Sequence, residues 1–355
     1  MYSYTYAAFG ENNIGNVKPS ESGLTLSNFV VESIDANRME LAVLHPLLEG
    51  ITMSSTGNFA FTGTPANLSN VTGKVLTTSV FINGVLNESE TWSGGADAQQ
   101  LLDFEYNSSL LSGDDSFEGS ATFGGDDSIQ GLGGNDRFKG YGDGQYSDYF
   151  FGGDGRDTSI YRGKLSEYVV KSADDIWDVR IDDGTRVKGF TVQDTVQSRD
   201  GKDFLNEVER LTFSDKSIAL DVGATENAGK AKLFTGAIAH SLSNDAATLG
   251  TILNFVDNGY SDLTSLSQLA ISVGLVSKLA GGDSNEALAD LVTKNLLGQA
   301  NPLVATMLTG YMDGTVATYS QAQFLAAVAA LEVNQQHVDL VGLAQTGMEY
   351  VPVGL

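Results

Sequence analysis

The chain has 355 residues, 41% hydrophobic and 18% charged, which is enough for two or three packed domains and too apolar for a disordered polymer. Its 45 acidic against 20 basic residues give a net charge of -25, which disfavours nucleic acid and anionic membrane surfaces and makes cations the natural partners. With no cysteine and no apolar run long enough to span a bilayer, disulfides, thiolate metal sites and membrane insertion are excluded as expectations.

The start, MYSYTYAAFGENN, has neither a basic n-region nor an apolar h-region, so no cleaved amino-terminal signal is expected. Residues 1–108 read as a β-rich domain. Runs such as GLTLSNFVVESI and GKVLTTSVFINGVLNESETW alternate and are rich in Val, Ile, Thr and Phe, and Asn83-Gly84 between apolar flanks predicts a type I′ hairpin.

The texture changes at residues 109–162. Of the 41 glycines, 13 fall among the 46 residues from Ser112 to Asp157, together with nine aspartates. In four units an apolar residue stands two places after an aspartate: Phe117 after Asp115, Ile129 after Asp127, Phe138 after Asp136 and Phe150 after Asp148. Ser159 takes the same place after Asp157, and successive intervals run 12, 9, 12, 9. Short strands need one inward apolar residue, and tight turns need glycines that adopt positive φ without steric cost. Stacked turns would crowd carboxylates and carbonyl oxygens into one space, which is unfavourable unless a hard cation with oxygen ligands sits there; Ca²⁺ fits that demand best. Ordinary surface loops would not keep an apolar register over five units.

GLGGNDRFK, Gly131 to Lys139, and GGDGRD, Gly152 to Asp157, resemble the calcium-binding nonapeptide of RTX (repeats-in-toxin) proteins over about 50 residues. The resemblance implies a parallel β-roll with Ca²⁺ between neighbouring turns of one side. Carried onto this chain, the units ending at Asp115, Asp136 and Asp157 stack on one side, with Gly113, Gly131, Gly133, Asn135, Gly152 and Asp154 in their turns. Calcium is then expected between the turns of Asp115 and Asp136 and between those of Asp136 and Asp157. The units ending at Asp127 and Asp148 form the other side, each enlarged by three residues, where Asp126 and Asp143 supplement or replace the usual ligands. The roll is expected to end near Ser159.

Residues 163–223 read as strands that flank and cap the roll (EYVV, WDVRI, RVKGFTV, ERLTF, SIALDV), with turns at Asp183-Gly184 and Asp200-Gly201. Residues 224–355 read as an α-helical bundle: KAKLFTGAIAHSL, LTSLSQLAISVGLVSKLA, SNEALADLVTKNLLG, PLVATMLTGYM and SQAQFLAAVAALEV carry apolar residues at helical spacing. This part loosely resembles a helical module at the C-termini of bacterial surface and RTX proteins. The expected fold class is therefore multi-domain β plus α: an N-terminal β domain, a parallel calcium-binding β-roll with capping strands, and a C-terminal helical bundle.

No enzyme motif is present. His45, His240 and His337 are far apart in sequence, there is no HExxH and no GxSxG, and Asp283 with Glu286 reads as a capping box rather than part of an esterase. The expectation is a secreted, extracellular structural protein, exported by type I secretion machinery with a signal near GMEYVPVGL, that binds Ca²⁺ and self-associates in a surface layer, fibre or biofilm matrix. The alternatives are an adhesin for surface glycans, with Tyr2, Tyr4, Tyr6, Phe9 and Trp92 as stacking residues, and a hydrolase of unfamiliar type.

Overall fold

A computed structural model describes residues 29–43, 51–64, 67–82, 85–97, 113–118, 128–140, 147–178 and 185–353. The chain divides into two compact units, Met1–Asp215, which is β-rich, and Lys216–Leu355, which is mainly helical.

The first unit begins as an antiparallel meander, β1 (Phe29–Ile34), β2 (Arg38–Val43), β3 (Ile51–Thr64), β4 (Asn67–Ile82) and β5 (Val85–Asp97). The turn after β1 is set by Asp35, whose Oδ1 accepts the N–H groups of Asn37 (2.7 Å) and Arg38 (2.8 Å). Ile82 pairs with Val85, the register of the two-residue connection expected at Asn83-Gly84, although those two residues lie outside the described ones.

β5 pairs antiparallel with β6 (Asp115–Glu118), and from there the pairing turns parallel. Successive strands alternate between two sheets. β6, β8 (Arg137–Lys139) and β10 (Thr158–Ile160) extend the meander's sheet, whereas β7 (Ser128–Gly134) and β9 (Tyr149–Gly155) pair in the other. The apolar residue of each unit faces inward, as its register requires. Phe117, Phe138 and Phe150 are at most 1% exposed and stack in a column with centroids 5.5 and 5.3 Å apart.

The parallel pairing does not end at Ser159. A 3₁₀ turn (Leu165–Glu167) and an antiparallel hairpin, β11 (Tyr168–Trp177) with β12 (Arg186–Asp194), are inserted, after which the chain rejoins both stacks. β13 (Lys202–Asn206) runs parallel to β9 and β14 (Arg210–Thr212) parallel to β10, with Leu205 opposite Phe150 and Leu211 opposite Ser159. Of WDVRI, Trp177 ends β11 and Asp178 follows it, whereas Val179, Arg180 and Ile181 and the Asp183-Gly184 turn lie outside the described residues. The Asp200-Gly201 turn is present, with Gly201 at φ 76°. Arg199 fixes the base of the hairpin: it grips Asp194 at 2.6 and 2.7 Å, reaches Glu167 at 2.8 Å and lies 5.0 Å over the Tyr168 ring.

In the second unit β15 (Ser217–Ala219) pairs antiparallel with β16 (Met348–Tyr350), a strand that the sequence pattern did not suggest. Nine α-helices are found among the described residues: α1 (Asn227–Ala239), α2 (Ala246–Asp257), α3 (Leu263–Ser272), α4 (Leu275–Ala280), α5 (Asn285–Leu297), α6 (Pro302–Thr309), α7 (Gln321–Ala329), α8 (Glu332–His337) and α9 (Leu340–Thr346). α1 lies inside the core, with Ala231, Leu233, Phe234 and Ala237 at 0% exposure. The run expected over 263–280 is broken by Gly274 at φ 73°. α5 is capped by Ser284, whose hydroxyl accepts the Ala287 N–H, so the Asp283–Glu286 box is not formed. No helix among the described residues is long and apolar enough to cross a membrane.

Candidate metal centre

Two turns of equal length connect the sheets at one edge: residues 131–136 lead from β7 into β8, and residues 152–157 from β9 into β10. They stack one repeat of 21 residues apart, with Leu132 opposite Gly153, Gly133 opposite Asp154 and Gly134 opposite Gly155. The turns depend on left-handed backbone, φ 66° at Leu132, 117° at Gly134, 100° at Gly153 and 140° at Gly155. At Gly155 a Cβ would also lie 1.6 Å from the Gly134 oxygen, so only glycine fits.

The aspartates that close these turns form a ladder. Asp136 Oδ1 accepts the Asp115 N–H at 2.8 Å, and Asp157 Oδ1 accepts the Asp136 N–H at 2.7 Å. A second ladder runs outside it, from Asn135 to Asp114 Oδ1 (2.7 and 3.0 Å) and from Arg156 N–H to Asn135 Oδ1 (3.1 Å). Asp115 is 3% exposed, and Asp136 and Asp157 are 0% exposed. Among the described residues, the second oxygens of Asp136 and Asp157 have no N–H or hydroxyl donor. Each faces the glycine of its own turn: a Cβ on Gly131 would lie 1.9 Å from Asp136 Oδ2 and 2.6 Å from the Gly152 carbonyl oxygen. Acceptors thus converge where no donor is supplied.

Electrostatics follow from this. Burial pushes the Asp136 carboxyl up to about 7, helped by the charges of Asp115 and Asp114 and opposed by the Asp115 N–H. Burial likewise raises Asp157 to about 7, with Asp136 and Asp114 adding repulsion. Only a shared proton or a cation stabilises carboxylates placed in this way. The oxygen-only donor set suits a hard cation. Among the described residues no three carboxylate or imidazole side chains form a ready metal cluster, so main-chain carbonyls would have to complete a shell.

Gly113, Asp115, Gly131, Gly133, Asn135, Asp136, Gly152, Asp154 and Asp157 are thus gathered at one edge, with Asn135 and Asp154 exposed. Asp148 belongs to the opposite side and is 3% exposed. Its backbone N–H donates to Asp203 Oδ1 at 3.4 Å, and its carbonyl accepts the Phe204 N–H at 2.8 Å. Burial and the Asp148 charge hold the Asp203 carboxyl well above its ordinary range. Asp126, Asp127 and Asp143 lie outside the described residues, as do Tyr2, Tyr4, Tyr6 and Phe9.

Sequence reasoning missed Asp114, Asp203 and Glu209. The signal was present for the last two: Asp203-Phe204-Leu205 and Glu209-Arg210-Leu211 repeat the acid-x-apolar pattern after the inserted hairpin. It also missed that His240 and His337 stack, with ring centroids 5.0 Å apart. The Gly282-Asp283-Ser284 stretch lines a cavity of about 240 Å³, but the Ser284 hydroxyl is used as a helix cap and no histidine lines the space. Comparison with protein-family models, curated proteins and solved structures gives no match.

Proposed function

We propose that this chain is a secreted calcium-binding structural protein of RTX type, whose two parallel strand stacks are a β-roll that folds when Ca²⁺ fills the gaps between turns. The observation that carries the reading is the 21-residue ladder Asp115, Asp136, Asp157, with two buried carboxylate oxygens that lack donors among the described residues. Asp136, Asp157 and the carbonyl of Gly152 would hold the ion between the second and third turns, and Asp115 with Asp136 between the first and second. Calcium would supply the positive charge that makes this edge stable.

The segment Ser112–Asp157 carries nine Asp and one Glu against Arg137, Lys139 and Arg156. Extracellular calcium modules bind with Kd of roughly 10⁻⁴ to 10⁻³ M, so the roll would stay unfolded at cytosolic calcium and fold outside the cell. That logic fits export of an unfolded chain by type I secretion machinery and use at the cell surface. Self-association is the proposed role of the folded form, in a surface layer, fibre or matrix.

The test is a calcium titration of the metal-free protein, followed by circular dichroism and light scattering. A joint rise of strand signal and particle mass is expected. Strand signal that ignores calcium would overturn the calcium reading, and a calcium-folded chain that stays monomeric at high protein concentration would overturn the assembly reading alone.

A further inference from the structure

The Asp ladder does not stop with the glycine-rich repeat. Asp157 donates its N–H to Glu209 Oε2 at 2.8 Å, the bond that Asp136 makes to Asp157 and Asp115 to Asp136. The main chain agrees: Arg210 N–H donates to the Asp157 carbonyl at 2.9 Å, as Thr158 N–H does to the Asp136 carbonyl at 2.8 Å. The glycine cradle recurs as well. A Cβ on Gly152 would lie 2.3 Å from Asp157 Oδ2 and 1.9 Å from the carbonyl oxygen of Glu207, the counterparts of Asp136 Oδ2 and the Gly152 carbonyl one repeat earlier. Asp157 is 0% exposed and its Oδ2 has no donor among the described residues, so a buried carboxylate oxygen and a carbonyl oxygen crowd the same point.

The final turn is built differently. Asn206 stands opposite Phe151, so Glu207 follows in register with Gly152, yet the acid comes two residues later at Glu209 rather than five later as at Asp157. Glu207 takes the left-handed backbone, φ 54°, without being glycine. The shortened turn is closed by Glu in place of Asp, a side chain one methylene longer.

We propose that the gap between the turn at residues 152–157 and the turn at residues 206–209 is a third hard-cation site, with the Asp157 carboxylate and the Glu207 carbonyl as ligands and Glu209 supplying charge. The proposal rests on the calcium reading of the first two gaps. Its consequence is specific to this chain: an ion there ties the repeat to a segment beyond the inserted hairpin and closes that insertion as a loop.

The experiment is equilibrium dialysis of the full chain against radioactive Ca²⁺, for wild type, Glu209→Gln and Glu207→Gln, with circular dichroism as the folding control. Gln keeps the length and still accepts the Asp157 N–H through Oε1, so Glu209→Gln is expected to fold and to bind one ion fewer per chain. Glu207 contributes only its carbonyl, and Glu207→Gln is expected to bind like wild type. Unchanged stoichiometry and affinity in Glu209→Gln would overturn the third site and leave the first two standing. A wild type that binds no calcium would overturn both readings. Asp136→Asn gives an independent reading that does not need Glu209→Gln to fold: weakening the two gaps that Asp136 borders should leave one bound ion, and binding of none overturns the third site.

Discussion

Asp136→Asn should make the metal-free protein more stable and weaken its response to calcium at the same time. In the absence of metal the Asp136 carboxyl is fully buried and lifted from 3.8 to about 7, chiefly by desolvation. A carboxyl raised in this way favours the fold while it is protonated. The contribution is complete below its ordinary value and is lost as pH rises from about 4 to about 7. At about 1.4 kcal/mol per pH unit, the loss for this one group is on the order of 4 kcal/mol by pH 8. Asparagine carries no charge, and its Oδ1 can still accept the Asp115 N–H. Trp92 and Trp177 are the two tryptophans of the chain and both belong to the first unit, so their fluorescence in urea reports that unit alone. In chelator at pH 8, where the wild-type roll is largely unfolded, the folding equilibrium of the variant should be more favourable by roughly 2–4 kcal/mol, and the difference should vanish near pH 4. Added calcium should raise wild type by about 2.7 kcal/mol at 100 times Kd and the variant by much less. A variant less stable than wild type in chelator at pH 8 would refute the claim that a buried, uncompensated carboxylate weakens the metal-free fold.

Phe138→Ala removes the middle ring of the Phe117–Phe138–Phe150 column and should cost about 3–5 kcal/mol in urea melts with calcium present, as a cavity flanked by two rings cannot close. Burial alone would raise Asp194, but Arg199 and the N–H groups of Val196 and Asp200 outweigh it and hold the carboxyl below its ordinary 3.8. The stability that Asp194 gives is thus present above pH 4 and lost as pH falls through the lower folded value, and Arg199→Ala, which strands a carboxylate with 0% side-chain exposure, should cost about 3–5 kcal/mol and move acid unfolding to higher pH. In the helical unit, burial, then the charges of His337 and Lys232, push His240 below 6.5, so stability there should be full above that pH and fall as pH drops through it, read from the 222 nm signal in urea at pH 7.5 and 5.5.

The parts of the fold that could be read from sequence are those where one residue type has one physical use. The alternation of 12 and 9 residues fixed which aspartates share an edge, because a strand's inward residue and a turn's glycine leave few other registers; Asp115, Asp136 and Asp157 do lie on one ladder. Helix limits were less readable where an uncapped continuation and a break differ by one glycine, as at Gly274, and where adjacent residues compete for the same cap, as Asp283 and Ser284 do.

The end of the stack was misplaced for a different reason. Repeat detection depends on contiguity, whereas sheet pairing depends only on register and on burying the next apolar residue. Leu205 and Leu211 satisfy both after an excursion of some forty residues, and they bring Asp203 and Glu209 into line with Asp148 and Asp157. Loop closure grows more costly only slowly with loop length, so an insertion between units weakens the stack far less than an unburied edge would. A chain of this kind can therefore resume its acid ladder without glycine, provided that one residue accepts left-handed backbone and one longer acid reaches back to the N–H left by the unit before. Glu207 and Glu209 meet those two conditions.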